Sequence, residues 1–455
     1  MIKPVLMSRL ARALGLVLSD ADVAFTGIAI DSRAVEPGDL FVAIPGQRAD
    51  GHDYLSDAAD RGAVAALIER NCAADNVSVL RVPNTVQALG ILGQLLRDDY
   101  EGVLVGVTGS AGKTTAKNLL AAILGEAGST LATEGNLNNE IGVPLTLARL
   151  SSDTEFAVVE MGAAKPDDIR YLCEIARPTV SVLLNVGSAH LAGYPDLEAL
   201  ADTKAQILDG LDVDDLAVIN ADQDWSAGWS ARAASARCVS FGLTKNATYR
   251  ASNIKSHGFE GVSFDLTVRE HTRRIASHVP GMPGVYNVLA AIAVAAELGL
   301  SDNAIDRGIA KVAPAAGRGR VHRTPCGATI VDDTYNANPE AVRAAIDSLA
   351  QCSGKKTLVL GDMLELGAGS AALHRQVVEH AAARKIDCLI AVGELASEAA
   401  AVFPGRKAVF ARTADLMAAD HVFGADDVVL VKGSRGIALE RAVAEWIGSR
   451  EDIAC

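Results

Sequence analysis

Short apolar runs bounded by Gly, Pro, Asn and Asp alternate with stretches of helical period along most of the chain. In the first hundred residues, FTGIAIDSRAVEPGDLFVAIPG carries brief apolar runs split by turn signals at Pro37-Gly38 and Pro45-Gly46. HDYLSDAADRGAVAALIE then has helical period, VSVLRV reads as a strand and TVQALGILGQLLRDDY as a helix. The charged break Arg97-Asp98-Asp99-Tyr100 precedes the next apolar run.

That run, VLVGVTG, reads as a buried strand feeding a helix through glycines, with further strands at FAVVEMG, VSVLLNVG and LAVIN. After Asp222 the chain turns β-rich and more polar (RCVSFGL, ATYRASNIKS, GVSFDLTVR) before PGMPGVYN opens an Ala-rich helix. Ala313 to Arg320 reads as a linker, and ATIVDD, KTLVLGD, CLIAVG and DVVLVKG follow as strands between helices. Strands alternating with helices predict α/β domains with mostly parallel sheets. The expected division is residues 1–99 as a small α/β domain, 100–316 as a central nucleotide-binding domain, and 317–455 as a Rossmann-like α/β domain. Each is long enough to bury its own core.

Composition narrows the function. The 455 residues carry a net charge of −14, which disfavours sequence-independent binding to nucleic acid or to anionic membranes. The longest apolar run, Val288 to Ala296, is too short to span a bilayer, and Lys3, Arg9 and Arg12 interrupt the apolar residues at the start. The seven cysteines form no C-x-x-C pair, so neither a zinc site nor a disulfide framework is expected, and a cytoplasmic location is.

The sharpest chemical signal is GVTGSAGKTT, Gly106 to Thr115. It is read as a phosphate-binding loop of the G-x-x-x-x-G-K-[ST] type, with Gly106 as its first glycine. Backbone N–H groups of Thr108, Gly109, Ser110, Ala111 and Gly112 would converge on phosphate oxygens at the start of a helix that continues through Thr115. Lys113 would reach the outer phosphates and Thr114 would join a Mg²⁺ shell. Glu160 ends the strand FAVVE, where such proteins place an acidic Mg²⁺ partner, although a single acid at a strand end is equally a structural residue. His190 and Lys204, each taken alone, read as ordinary structural or solvent-facing residues.

The ordered series TGSAGKTT, EGNLNNEIGVPLTL, VVEMG, GSAHL, Lys204, PGVYN, DDTYNANP, GDMLELG and KGSRG closely resembles the Mur ligases of peptidoglycan synthesis. The resemblance extends to the front of the chain through DSR and PGDLFVAIPGQRADGHDY. It implies a ligase that spends ATP to join an amine to a carboxylate through an acyl phosphate. DDTYNANP followed by GDMLELG favours the branch whose substrates are UDP-muramyl-tripeptide and D-alanyl-D-alanine. The same resemblance implies two Mg²⁺ ions near Thr114, Glu160, His190 and Lys204, with Lys204 carbamoylated. Asn287 would read adenine, Arg318 would approach the phosphates and Asp333 would take ribose hydroxyls. Ser32, Arg33, Gln47, Asn138 and Asn139 would contact the UDP-muramyl substrate. Asn336, Asn338 and His374 would bind the incoming dipeptide. A monomer with no nucleic-acid or membrane partner is expected.

Two departures from the family pattern stand out: Tyr286 replaces the usual His before Asn287, and Ala163-Ala164-Lys165 replaces an Asn-His pair after Gly162. Two other readings stay open from sequence. One is a sister ligase, either the third-residue-adding enzyme (whose D-N-P-R motif is absent) or a folylpolyglutamate synthetase. The other is an ATP-binding scaffold without ligase activity.

Overall fold

The computed structural model describes residues 1–448, apart from 47–48, 73–76, 188–192, 325–326 and 420–422. The front of the chain builds a parallel sheet in the order Gly27–Ala29, Asp39–Val42, Ala65–Ile68, Ser78–Arg81. Here one sequence expectation is corrected. The stretch expected to be a single helix from His52 to Glu69 is a 3-10 turn at Gly51–Tyr54 and an α-helix at Leu55–Asp60, and Ala65–Ile68 is a buried central strand. Gly62, with φ of +103°, breaks the helix, and a β-carbon there would lie 2.9 Å from the Pro37 backbone. An Ala- and Leu-rich run is ambiguous by period alone; burial on both faces of the sheet decides it.

The central sheet is nine-stranded. Its order is His271–Ser277, Val262–Val268, Tyr249–Ser256, Arg237–Gly242, Leu216–Asn220, Val180–Leu183, Val103–Thr108, Phe156–Glu160, Thr130–Ala132. Pairings from Tyr249–Ser256 onward are parallel, and the two at the opposite edge are antiparallel. Strand Val103–Thr108 sits mid-sheet, and successive crossovers leave it to opposite sides. Its carboxyl end is therefore the crevice where such sheets bind ligands. Helix Gly281–Glu297 contains the longest apolar run and is buried along Val288 to Ala295 against helix Lys113–Leu124 and the sheet. It is a core helix: no helix among the described residues is long and apolar enough to cross a membrane.

The last sheet runs Arg320–Arg323, Thr329–Asp333, Asp427–Lys432, Lys355–Gly361, Cys388–Val392, Arg406–Phe410, parallel except at the first pairing. Arg320 thus belongs to an edge strand and not to the linker. That strand and Arg406–Phe410 are polar, half-exposed edges, which hydrophobic patterning does not single out.

Each unit buries a core of its own, as with Phe41, Leu55 and Ala66 in front, Val107, Leu119 and Val288 in the centre and Val342, Leu358 and Leu389 at the end, and the front and central units share one more. One apolar cluster runs without a break from Val5, Leu89, Leu92 and Leu96 into Leu147, Ile175 and Ile219. Helix Thr85–Asp98 makes the seam, and its glycines permit the contact. A β-carbon on Gly90 would stand 2.3 Å from the Tyr171 hydroxyl, and one on Gly93 2.8 Å from Ile175. Gly93→Leu is expected to cost roughly 1–3 kcal/mol by overpacking this seam. A fall in the urea unfolding midpoint would register it; an unchanged midpoint would contradict the packing account.

Candidate active site

Strand Val103–Thr108 ends in a turn that delivers the chain to helix Lys113–Leu124. Gly106 is a strand residue packed on Pro178, and five residues separate it from Gly112, so it is not the loop's first glycine. The loop proper is Gly109 to Gly112. Gly112 caps the helix at φ +84°, and a β-carbon there would lie 2.5 Å from Asn287 Oδ1. Only glycine meets both demands. Asn185 holds the loop from behind: its Oδ1 accepts from Ala111 N at 2.9 Å and its Nδ2 donates to Ala111 O at 3.0 Å. Ser110 Oγ accepts from Gly187 N at 3.0 Å, and Thr108 Oγ1 donates to Met161 O at 2.9 Å. Lys113 Nζ donates back to Gly109 O at 2.8 Å, and Thr115 follows in the helix's first turn. Burial pushes the Lys113 ammonium below its ordinary pKa, Glu160 pulls it up and Arg318 pushes it down.

Glu160, at the end of strand Phe156–Glu160, is buried and faces Thr114. Its Oε2 accepts from Thr114 Oγ1 at 2.9 Å, and its Oε1 accepts from Asn138 Nδ2 at 2.8 Å. Its backbone N–H donates to Thr133 Oγ1 at 3.0 Å, while the buried Lys117 Nζ donates to Thr133 O at 2.6 Å. Asn138 therefore orients the carboxylate, and its side chain is tied to the acid at the strand end rather than standing free. Neighbouring Asn139 accepts from Gly142 N at 3.0 Å at the start of helix Gly142–Leu147 and remains exposed. Sequence reasoning missed Lys117, Thr133 and Asn185. The one available signal was Lys117 at one helical turn from Lys113.

Lys204 is not solvent-facing. It is 1% exposed in helix Leu197–Ala205, and among the described residues no carboxylate pairs with it. Burial pushes its pKa far below the ordinary lysine value, and the charge of Lys113 adds to the push. His190 and Gln47 lie outside the described residues.

The opposite wall comes from the linker and the last sheet. Arg318 lies over the Tyr335 ring, its guanidinium carbon 3.9 Å from the centroid. Asp333 Oδ2 pairs with Lys432 Nζ at 2.7 Å, and Lys432 also donates to Asn336 O at 3.0 Å. Between the walls is a cavity of about 520 Å³, lined by Thr114, Asn136, Arg318, Tyr335, Asn336 and Asn338 among others. Asn338 Oδ1 caps helix Pro339–Ala350 at Ala341 N, 2.8 Å away, and Asn336 Oδ1 accepts from Ala337 N at 2.9 Å. Each amide nitrogen still has its donors for a ligand.

His374 is a correction. It is wholly buried, its Nε2 accepts from Met363 N at 2.8 Å, and its Nδ1 lies 2.7 Å from Ser370 O. Both ring nitrogens are thus spent inside the fold, with none left for a dipeptide. His374→Ala is expected to cost roughly 1–3 kcal/mol by stranding the buried Met363 N–H, with turnover retained well below the melting temperature. A stable variant with a raised KM for one substrate would show that the histidine faces the cleft after all.

In the front domain Ser32 is buried, and Arg33 is 83% exposed while pairing with Asp31 at 2.7 Å. That guanidinium holds the Asp31 carboxyl down at about 2. The Tyr286 hydroxyl donates to Asp222 Oδ2 at 2.9 Å, so this departure serves the loop after strand Leu216–Asn220. In the other departure, Ala164 N and Lys165 N both donate to Asp168 Oδ2, closing a turn.

Three family models match the chain: the Mur ligase family catalytic domain at residues 24–100, the Mur ligase middle domain at 107–295, and the Mur ligase glutamate ligase domain at 317–435. The UDP-N-acetylmuramoyl-tripeptide–D-alanyl-D-alanine ligase of Escherichia coli K12 is 36% identical, over 96% of this chain and 97% of its own. The chain belongs to the Mur ligase family. Among other relatives of this Mur ligase, the Bacillus subtilis enzyme of the same name is 32% identical over 93% of each chain. A crystal structure of MurF from Acinetobacter baumannii superposes with a TM-score of 0.88 at 30% identity, covering 98% of this chain and 99% of that one. The Thermotoga maritima MurF ligase, solved in complex with ADP, superposes at 0.81 and 30% identity, covering 94% and 98%. The fold is accordingly the mixed α/β, three-domain architecture of those structures.

Proposed function

We propose that the chain is an ATP-dependent amide ligase that joins D-alanyl-D-alanine to UDP-N-acetylmuramoyl-tripeptide, a step of peptidoglycan precursor synthesis. The observation that carries this reading is the likeness, over nearly the whole length of both chains, to ligases of that name. A cavity that Thr114, just past the phosphate loop, shares with Arg318, Tyr335 and Asn336 supports it. We place the domain boundaries near 99 and 316, and take the enzyme to work as a cytoplasmic monomer.

The reaction must bring two anions together. A carboxylate oxygen of the tripeptide attacks the γ-phosphorus of ATP, the bond to the β–γ bridging oxygen breaks, and ADP leaves. The dipeptide amine then adds to the acyl carbon, the tetrahedral adduct expels phosphate, and the amine gives up its proton. Lys113 and Arg318 offset the repulsion between carboxylate and triphosphate, while the loop amides fix the phosphate chain. Mg²⁺ would supply further charge neutralisation at the phosphate oxygens.

The residues present suit that ion. Thr114 and Glu160 offer hard oxygen donors 2.9 Å apart, and Asn138 holds the second carboxylate oxygen. Lys204 carries a further part of the proposal. As a buried amine with no carboxylate partner among the described residues, it suits reaction with CO₂, in which nitrogen bonds carbon, a proton leaves, and an anionic carbamate results.

The deciding assay is ADP release by the purified chain. UDP-muramyl-tripeptide with D-alanyl-D-alanine should drive turnover, and single amino acids in place of the dipeptide should not. Release driven equally well by a free amino acid would assign the chain to a sister ligase, and nucleotide binding without turnover would make it a scaffold.

A further inference from the structure

Of two motifs quoted from the sequence, GDMLELG and KGSRG, only Lys432 has entered the site described so far. The fold sets them side by side at the carboxyl ends of adjacent strands Lys355–Gly361 and Asp427–Lys432. Glycine makes this possible, because a β-carbon on Gly433 would stand 3.0 Å from the Gly361 α-carbon. Ser434 Oγ accepts from Leu364 N at 2.9 Å, and Ser434 N donates to Asp362 O at 3.1 Å, so the two turns are locked together. Together they present Leu364, Leu366 and Arg435 to the same 520 Å³ cavity that Thr114 lines from the phosphate side.

Among the described residues, two cationic side chains line this cavity, Arg318 and Arg435. Lys432, behind the lining, is taken by Asp333 at 2.7 Å. Arg318 packs on Tyr335 at 3.9 Å, and its charge reaches Lys113 and Lys117, which places it at the phosphate end. Arg435 lies 5.8 Å from the same ring centroid, is exposed, and makes no ion pair among the described residues. It stands on a short turn, Arg435–Ile437, closed by Ala438 at φ +58°. Leu364, beside it, is 44% exposed although its neighbour Met363 is fully buried.

We infer that Arg435 is the anchor for the terminal carboxylate of the incoming dipeptide, with Leu364 and Leu366 as the apolar wall for its methyl groups. The inference rests on the ligase reading given above. Chemistry supports the orientation. The amine must reach the acyl phosphate near Thr114 and Lys113, so the carboxylate lies about two residues' length, roughly 7 Å, further into the cavity. A guanidinium fork is the side chain suited to a carboxylate there. An anchor of this kind also explains how a dipeptide is held while its nucleophilic end stays free.

The test is a substrate-by-variant cycle with D-alanyl-D-alanine and D-alanyl-D-alaninamide, which lacks the terminal charge. The unaltered enzyme should prefer the acid by at least about 10-fold in kcat/KM, as expected for a charged hydrogen-bonded pair. Arg435→Gln should raise KM for the acid by a similar factor, leave the KM for ATP and for UDP-muramyl-tripeptide unchanged, and erase the preference for acid over amide. Arg435→Lys should recover part of the preference. Equal use of acid and amide by the unaltered enzyme overturns the inference without needing any variant, as does a variant that still prefers the acid. Failure to ligate either dipeptide would instead sink the ligase reading, and this inference with it.

Discussion

Lys113→Ala is expected to reduce kcat by roughly a hundredfold or more, the usual loss when one preorganised donor is removed from developing charge. The structure gives the reason. Lys113 opens helix Lys113–Leu124, its ammonium is folded back on Gly109 O at 2.8 Å, and it stands within electrostatic reach of Glu160 and Lys204. It is the loop's own cation, so its removal leaves the outer phosphate without its nearest positive charge. The fold should survive, because the side chain pairs only with a loop carbonyl and the helix cap is Gly112. Steady-state ADP release with an unfolding curve checks both halves. Near-normal turnover, or a variant that does not fold, would remove Lys113 from the role proposed for it.

Lys204→Ala should be nearly inactive, and added acetate should restore part of the rate. An unmodified lysine is a poor fit here as a cation. As a cation it would be buried within reach of the Lys113 charge, with no carboxylate partner among the described residues. A carbamate, as proposed, would resolve this by placing an anion at the end of a stem longer than that of Asp or Glu. The alanine variant leaves that space open, and a small carboxylate can enter it. A solvent-facing helix lysine would instead give a variant with unaltered turnover and no response to acetate. Rates with and without acetate separate the outcomes, and mass spectrometry of the intact chain kept under CO₂ offers an independent reading.

The site was legible wherever its signal is local. GVTGSAGKTT is a contiguous strand, turn and helix, so the residue types at those positions alone announce a phosphate loop. Lys117, Thr133 and Asn185 were not legible, because each acts by touching a group far away in sequence. Thr133 meets Glu160 across neighbouring strands, and Asn185 reaches the loop from the next strand's end. His374 shows the opposite error: a histidine in a motif-rich segment looked available until its two nitrogens were found bonded to Met363 and Ser370.

By itself the sequence determined the α/β class, the parallel character of the sheets and the nucleotide loop. Each of these follows from short-range period, from Gly and Pro at turns, and from burial of apolar runs on both faces. Tertiary structure alone decided that Ala65–Ile68 is a strand, that helix Thr85–Asp98 lies in an apolar cluster shared by the front and central units, and that the turns of GDMLELG and KGSRG are hydrogen-bonded to each other. The physical reason is the same in all three. The local sequence allows several conformations or partners of similar energy, and the choice falls to contacts made by residues dozens to hundreds of positions away.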